Sequence, residues 1–239
     1  MLWWWNWNNR VLDCKTMFPK FSDKLVSNTK IIYQNLPAFK EYENKTVLII
    51  GGGGSTNTLS WETLNTYDYV WSVNHFYLHP VLKNTKVDLV MMMTEPDLQN
   101  KEWLEYRNKF NPYVGVEIHG DPHTKSKWKN YTFDDYEKYF CMHTRFYSKL
   151  GACVRMIIFA AELGVSSVDF VGLDGPEAIE KGDHAFQPGK TTMPNNTGSF
   201  LEQYYSFWNY TLASYPDVGF YNLGGGEQYH KATLHHNTG

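Results

Sequence analysis

Short apolar runs alternate with segments of helical period along most of this chain, which is typical of an α/β protein. Runs rich in β-branched and aromatic residues predict six strands, at residues 46–50, 69–73, 87–93, 113–118, 168–171 and 218–222. The first of them is apolar without interruption from Val47 to Ile50, as expected for a parallel strand buried on both faces. The sequence therefore predicts a doubly wound, mostly parallel sheet with helices on both faces.

Helix signals lie between these strands. A first helix is expected to begin near Ser55, and a second near residues 98–109, capped by Asp97. Residues 150–161 give the clearest signal, because apolar side chains recur there at intervals of three and four residues. A last amphipathic helix, over residues 201–212, precedes the final strand.

No internal repeat and no linker divides the chain, so residues 46–239 are expected to form one domain. Residues 1–45 lack a clear period and are interpreted as an aromatic N-terminal extension. Within the domain, residues 175–198 are rich in Gly, Pro, Asn and Lys, and they predict a long mobile loop.

A glycine turn follows the first strand, where Gly51, Gly52, Gly53 and Gly54 lead into Ser55, Thr56 and Asn57. A strand that runs into glycines and then into hydroxyl or amide side chains is typical of a phosphate-binding helix start. The glycines admit the ligand, and the helix N-terminus supplies N–H donors. No Gly-Lys-Ser/Thr follows and the third glycine of GxGxxG is absent, so neither common nucleotide motif is matched. A plain tight turn and a flexible linker are the alternatives.

Polar side chains also follow other predicted strands. Asn74 and His75 come after the second strand, Glu95 and Asp97 after the third, and Asp174 after the fifth. Ligands of doubly wound sheets bind beyond the carboxyl ends of the strands, so these side chains are candidates for one shared site. The alternative is that they are polar only because loops usually are.

Arg145 and Ser148 precede the clearest helix. An arginine beside a helix N-terminus would form a second anion site, and an ordinary surface arginine is the alternative. The chain contains no DxD sequence and no GxSxG elbow. Neither a metal-bound nucleotide sugar nor a serine hydrolase is therefore indicated.

Composition indicates a packed globular protein, since hydrophobic residues make up 42% and aromatic residues 17% of the 239 residues. The formal net charge is −3 and no long basic run is present, so a nucleic-acid partner is not expected. The three cysteines are odd in number and lack metal-ligand spacing, which favours a reducing compartment. Without a signal peptide or a long apolar run, the expected location is cytoplasmic.

The N-terminal sequence MLWWWNWNNR holds four tryptophans, Trp3, Trp4, Trp5 and Trp7. Tryptophan suits a membrane interface, because its ring is apolar while its N–H group can be hydrated. The same side chains would pack equally well on the domain or on a second subunit. Peripheral contact with the inner membrane and a homo-oligomer are therefore both open.

Five segments occur in an order that resembles the bacterial sialyltransferases of glycosyltransferase family 42. They are VLIIGGGGS, SVNHFY, a strand with a polar end, TRFYSKLGACVRMIIFAAELG and VDFVGLDG, within roughly residues 46–186. That family carries a G-x-G-P-S turn, an Asn-x-Phe-Tyr segment, an R-x-x-S-G helix start and a G-x-D strand end. The resemblance implies a Rossmann-like fold and a reaction without metal ion or cofactor. It also implies transfer from a CMP-activated sugar to a glycan or small-molecule acceptor.

The resemblance also implies roles for individual residues. Gly52–Gly54, with Asn57 or Ser55 and Asn74, would hold the nucleotide and phosphate, Arg145 and Ser148 the donor, and Asp174 the ribose or base. His184, within Asp-His-Ala-Phe, stands where the family has a tyrosine that steadies the departing phosphate.

One departure from the family concerns the general base. The family has a histidine before its last helix, whereas this chain has Asn195-Asn196-Thr197 there. A base must take the proton of the acceptor hydroxyl, so Glu95, Asp97, His75 or His184 would have to serve.

Two alternative functions stay open. Residues 144–185 are also similar to archaeal 6-hydroxymethylpterin diphosphokinase-like proteins, which would imply pyrophosphoryl transfer. The missing base histidine would instead fit a non-catalytic module that binds a nucleotide sugar.

Overall fold

The computed structural model describes residues 36–92, 98–117, 138–142, 151–174, 184–189 and 197–224. Seven strands form one sheet: β1 (Thr46–Ile50), β2 (Tyr69–Val73), β3 (Leu89–Met92), β4 (Tyr113–Glu117), β5 (Tyr139–Met142), β6 (Ser167–Val171) and β7 (Gly219–Asn222). Their order is β5-β4-β3-β2-β1-β6-β7, and each neighbouring pair is parallel. The predicted parallel α/β sheet is confirmed.

The strand β5 was not predicted. It lies beside β4 at one edge of the sheet, with Tyr139 opposite Val114 and Cys141 opposite Val116. Its four residues are too few to show a strand period, so the local pattern does not separate this strand from a turn. The other six strands begin and end within two residues of their predicted bounds.

The α-helices with bounds in the described part of the chain are α1 (Lys101–Phe110), α2 (Ala152–Glu162) and α3 (Thr197–Ser214). The predicted cap of α1 was wrong, because Asn100 rather than Asp97 caps the helix. Asn100 Oδ1 accepts hydrogen bonds from the N–H groups of Glu102 at 2.8 Å and Trp103 at 3.2 Å. A cap residue must directly precede the helix to reach these groups, and Asp97 lies too early in the sequence.

The stretch between β1 and β2 does not form the α-helix predicted near Ser55. It forms two short 3₁₀ helices, Gly54–Thr58 and Trp61–Thr66. Hydroxyl side chains hydrogen-bond to nearby carbonyls, as Thr58 Oγ1 does to Ser55 O at 2.8 Å, and such local bonds compete with the α-helical ladder. Further 3₁₀ helices lie at Leu36–Tyr42, Asn74–Leu78 and Leu82–Asn84.

Aromatic side chains attach α2 and α3 to the same face of the sheet. The strand register places Trp71, Ile49 and Phe170 on one face, because residues opposite each other on parallel strands point the same way. Phe159 of α2 stacks on Trp71 with ring centroids 5.7 Å apart, and the centroid of Trp208 of α3 lies 5.3 Å from that of Phe170. Both helices therefore cover this face.

The end of the predicted N-terminal extension packs into the core. Phe39 and Tyr42 are each 1% exposed. The Phe39 ring lies 5.8 Å from that of Phe159, and the Tyr42 ring lies 5.2 Å from that of Trp71. The tryptophans at positions 3–7 lie outside the described residues. None of the described helices has the length and apolar character needed to cross a membrane.

Candidate functional site

The direction of strand addition reverses between β1 and β6. From β1 the chain builds the sheet through β2 toward β5, whereas from β6 it adds β7 on the other side. The loops that leave the carboxyl ends of β1 and β6 therefore diverge, and ligands of doubly wound sheets bind in the resulting crevice. Residues 51–55 after β1 and 172–174 after β6 define the candidate site.

Glycines after β1 allow the ends of β1 and β6 to approach closely. Gly53 N–H donates to Gly172 O at 3.0 Å. A Cβ atom on Gly51 would lie 2.6 Å from Gly172 O and 2.6 Å from Cys153 Sγ. A Cβ atom on Gly53 would lie 2.5 Å from Asp174 Oδ2. Because no side chain fits at either position, these glycines belong to the packed structure and do not form a linker.

The carboxylate of Asp174 occupies the start of the 3₁₀ helix that follows the turn. Ser55 N–H donates to Asp174 Oδ2 at 3.0 Å, and the Ser55 hydroxyl donates to Asp174 Oδ1. The same hydroxyl accepts a hydrogen bond from Gly172 N–H at 2.9 Å. The sequence suggested a phosphate at this position, and the structure has the negatively charged carboxylate of Asp174 there. A ligand phosphate would be repelled from this position.

Two residues to which the sequence assigned no individual role complete the packing around the turn. Thr56 is fully buried, and its Oγ1 donates to Gly51 O at 2.8 Å. Cys153, near the start of α2, is 8% exposed. Burial, with a further contribution from the charge of Asp174, raises the pKa of its thiol to about 12. A neutral thiol is a poor nucleophile, and the sulfur of Cys153 packs against Gly51 of the turn.

One sequence signal did point to Cys153. It lies on the apolar face of residues 150–161, which is the pattern of a buried helix position. No comparable signal marks Thr56, because its neighbours Ser55 and Asn57 are polar as well.

His184 lies against Gly52 in the same crevice. Ala185 N–H donates to Gly52 O at 2.9 Å, and a Cβ atom on Gly52 would lie 2.6 Å from His184 Nε2. The other ring nitrogen, Nδ1, accepts hydrogen bonds from the N–H groups of Phe186 at 3.1 Å and Gln187 at 3.3 Å. Phe186 is 3% exposed, so this part of the segment predicted as a mobile loop packs on the domain.

The two candidate asparagines differ in their surroundings. Asn74 follows β2 with a φ of 47°, a left-handed conformation that asparagine adopts more readily than most residues. The Ser72 hydroxyl donates to Ile50 O at 2.7 Å, which ties the end of β2 to the end of β1. Asn74 therefore starts from the same edge of the sheet as the glycine turn. Asn57 is exposed on the 3₁₀ helix.

The structure thus gathers a subset of the predicted site at the switch point: Gly52, Gly53, Gly54, Ser55, Asp174 and His184. Arg145, Ser148, Glu95 and Asp97 lie outside the described residues, and their roles stay predictions. Among the residues that are described, no three His, Cys, Asp or Glu side chains are grouped so as to hold a metal ion.

Solved structures with a similar fold include two sialyltransferases, although no protein-family model and no curated protein sequence matches the chain. One is the monofunctional alpha-2,3-sialyltransferase Cst-I from Campylobacter jejuni, at 16% identity and a TM-score of 0.54 over 75% of each chain. Another is the sialyltransferase CST-II in complex with a trisaccharide acceptor and CMP, at 16% identity and a TM-score of 0.54. That match covers 75% of this chain and 81% of CST-II. The similarity confirms the fold that the resemblance implied.

Proposed function

We propose that this protein is a glycosyltransferase of the sialyltransferase-like type, which transfers a sugar from a CMP-linked donor to an acceptor hydroxyl. The observation that carries the proposal is the crevice at the switch point, where the glycine turn, Asp174 and His184 converge. The fold shared with two sialyltransferases supports it. That CST-II binds CMP favours a CMP-linked donor here.

Asp174 is proposed to bind the ribose of the donor. Ser55 holds both carboxylate oxygens in one orientation. Each oxygen keeps a second lone pair, which can accept a hydrogen bond from a ribose hydroxyl. Because the same charge repels phosphate, the phosphate of the donor is proposed to lie farther along the crevice, toward His184.

The chemistry requires charge stabilisation and a base. When the bond between the sugar and the phosphate oxygen breaks, its electron pair stays on CMP, and Arg145 would stabilise the negative charge. The acceptor oxygen forms the new bond to the sugar and gives its proton to a base. Glu95 and Asp97, which follow β3, are the proposed bases. The proposed reaction uses neither a metal ion nor a cofactor.

Nucleotide binding tests the proposal directly. CMP, UDP, GDP and ATP would each be added at millimolar concentration with EDTA or with Mg²⁺, and the thermal midpoint measured. A ligand at 100 times its Kd stabilises the folded state by about 2.7 kcal/mol. We expect CMP to raise the midpoint equally with EDTA and with Mg²⁺.

Other results would point elsewhere. Stabilisation by ATP alone, and only with Mg²⁺, would favour the pyrophosphokinase alternative. Binding of CMP without transfer or hydrolysis of a CMP-sugar would favour a non-catalytic module. No stabilisation by any nucleotide would refute the proposal.

Substitutions at two candidate residues provide a second test. Asn74→Gly removes the amide but keeps the left-handed backbone, which Asn74→Ala would strain because φ is 47°. We expect Asn74→Gly and Arg145→Ala each to lower turnover of the CMP-sugar by about 100-fold.

Each variant has a matched control away from the switch point. Asn111→Gly changes an asparagine with a φ of 45° at the end of α1, and Arg107→Ala removes an arginine on the same helix. Both controls should keep wild-type turnover. If Asn74→Gly and Arg145→Ala also keep it, the site has been misplaced.

A further inference from the structure

We propose that Thr56 is a positioning residue for the donor phosphate, because its hydroxyl fixes the orientation of the Gly51–Gly52 peptide at the crevice. The family resemblance implies that the glycine turn holds the phosphate, and it assigns no role to Thr56. The identity of the ligand, a CMP-linked sugar, rests on the proposed function. The role of Thr56 in orienting the turn rests on the contacts of the described residues.

Thr56 binds two carbonyl groups of the glycine turn. Its Oγ1 donates to Gly51 O at 2.8 Å, and its backbone N–H donates to Gly53 O at 3.1 Å. Among the residues that the structure describes, no other group donates to Gly51 O. Thr56 is fully buried, so water cannot readily replace its hydroxyl. The orientation of the Gly51 carbonyl therefore depends on this one side chain.

The end of β6 leaves room for the Thr56 hydroxyl. Gly172 has a φ of 72°, which favours glycine, and a Cβ atom there would overlap both Thr56 Oγ1 and Gly51 O. The turn is tied to the same strand by Gly51 N–H, which donates to Val171 O at 2.8 Å. The hydroxyl is thus enclosed between the turn after β1 and the end of β6.

The orientation of the Gly51 carbonyl determines the direction of the next N–H group. The described residues contain no cis peptide bond, and in a planar trans peptide the C=O and N–H groups point in opposite directions. Because Gly51 O points toward Thr56 and β6, Gly52 N–H points away from both. Gly52 is partly exposed, and its N–H forms no hydrogen bond within the described part of the chain. This N–H can therefore donate to a phosphate oxygen in the crevice.

Removal of the Thr56 hydroxyl should release this peptide. Glycine adopts backbone conformations that other residues avoid, so Gly51 and Gly52 do not fix the peptide between them. Without the hydroxyl, Gly51 O would be a buried carbonyl group that lacks a hydrogen bond, which costs free energy. Rotation of the peptide would relieve this cost and would turn Gly52 N–H away from the ligand. The pairing of Ser55 with Asp174 does not involve this peptide, so binding of the ribose should not change.

Amide hydrogen exchange on the ¹⁵N-labelled full chain tests the orientation of the turn without any ligand. The N–H groups of Gly51 and Gly53 donate to Val171 O and Gly172 O, so they should exchange slowly. We expect Gly52 N–H to exchange much faster than both. Equal protection of the three N–H groups would show that Gly52 N–H is already bound, and it would overturn the proposal.

Two variants that differ only in the hydroxyl test the positioning role. NMR titrations with CMP and with cytidine, which lacks the phosphate, would be compared for Thr56→Ala and Thr56→Ser. We expect Thr56→Ala to lower CMP affinity about tenfold and to keep the cytidine affinity of the wild type, because one hydrogen bond to a charged group is lost. Thr56→Ser should keep both affinities. An unchanged CMP affinity in Thr56→Ala, an equal loss for CMP and cytidine, or an equal loss in both variants would overturn the proposal.

Thr211 provides a matched control away from the crevice. It is also fully buried, and its Oγ1 donates to Phe207 O at 2.8 Å. It lies near the end of α3 that leads to the start of β7, which is the opposite edge of the sheet. Thr211→Ala should lower the midpoint of urea unfolding about as much as Thr56→Ala does and leave CMP affinity unchanged. An equal loss of CMP affinity in Thr211→Ala would attribute the effect to stability and would overturn the role of Thr56.

Failure of the positioning role and failure of the proposed function give different results. If the wild type binds no nucleotide, the proposed function falls, and the role of Thr56 toward a phosphate falls with it. Hydrogen exchange without ligand still decides whether the turn has the described orientation. If the wild type binds CMP and Thr56→Ala binds it equally well, only the role of Thr56 falls.

Discussion

The two edges of the sheet each have an aspartate that accepts a hydrogen bond from a backbone N–H group. At the amino-terminal edge, Asp68 accepts from Thr46 N–H at 2.9 Å. At the carboxyl edge, Asp174 accepts from Ser55 N–H at 3.0 Å. The Asp68 side chain is 40% exposed and lies 3.5 Å from the ammonium group of Lys45. Asp174 is half-buried beside the glycine turn and, within the described residues, forms no salt bridge.

The difference lies in what surrounds each carboxylate. Asp68 is exposed and lies beside Lys45, so its contact with Thr46 belongs to a surface ion pair. Removing such a pair changes the free energy of unfolding little. Among the residues that the structure describes, Asp174 accepts hydrogen bonds from the neutral N–H and hydroxyl groups of Ser55, and each carboxylate oxygen keeps a further lone pair. The same kind of contact therefore belongs to a surface ion pair at the amino-terminal edge and lies beside the proposed binding crevice at the carboxyl edge.

Replacing a glycine with alanine is expected to give the largest difference in unfolding free energy between the two edges. At the carboxyl edge, Gly51→Ala would place Cβ 2.6 Å from Gly172 O, a backbone atom that cannot move freely. At the amino-terminal edge, Gly219→Ala would meet the ring of Tyr221 at 2.7 Å, and that side chain is 38% exposed and can turn away.

We expect Gly51→Ala to lower the free energy of unfolding in urea by about 3 kcal/mol. Gly219→Ala should change it by less than about 1 kcal/mol. If both variants are equally stable, the close approach of β1 and β6 is not as tight as described.

Neutralising the two carboxylates should give an intermediate effect. Asp174→Asn keeps the shape of the side chain but weakens its bonds with Ser55, so we expect a loss of about 1 kcal/mol in unfolding free energy. CMP affinity measured by calorimetry should fall about tenfold, which corresponds to about 1.4 kcal/mol. Asp68→Asn should leave both quantities almost unchanged. An equal effect of both variants on CMP affinity would contradict the assignment of Asp174 to the ribose.

The smallest expected effect concerns pH. As pH falls, interactions at the carboxyl edge should lose their contribution to the free energy of unfolding before those at the amino-terminal edge. His79, which contacts Phe186, is 7% exposed, and burial lowers the pKa of its imidazole below the usual 6.5. The unfolded chain then binds more protons than the folded one as pH falls below 6.5, so the free energy of unfolding decreases.

At the amino-terminal edge the pKa of Asp68 is lowered mainly by the hydrogen bond from Thr46 N–H. The stability that Asp68 contributes is therefore present above its usual pKa of 3.8 and is lost only as pH falls below it. Urea unfolding at pH 7.5 and 5.5 should show a smaller decrease for His79→Gln than for the wild type. An equal decrease would place the acid sensitivity in other residues.

The parts of the fold that could be predicted are those whose signal is local. Every residue from Val47 to Ile50 is buried, and an unbroken apolar run is sufficient to identify such a strand. The strand β5 and the 3₁₀ helices after β1 have no comparable signal. The first is too short, and in the second the hydroxyl side chains bond to their own backbone.

The candidate site was predictable in its location and not in its contacts. Parallel strands place their carboxyl ends at one edge, so Ser55 and Asp174 could be assigned to the same region from the strand pattern. Their direct pairing depends on the register between β1 and β6, which no local pattern specifies. For the same reason, the sequence suggested a phosphate at Ser55, where the structure has the carboxylate of Asp174.

The pairing of β1 with β6 also has a consequence for the order of folding. Ser55 and Asp174 are 119 residues apart in the sequence, and closing so long a loop is slow compared with forming local contacts. The strands β1 to β4 can pair with neighbours close in sequence, while the crevice does not exist until β6 is in place. During synthesis the crevice would therefore form only after most of the chain has left the ribosome. Binding of the proposed nucleotide would consequently report that folding is complete.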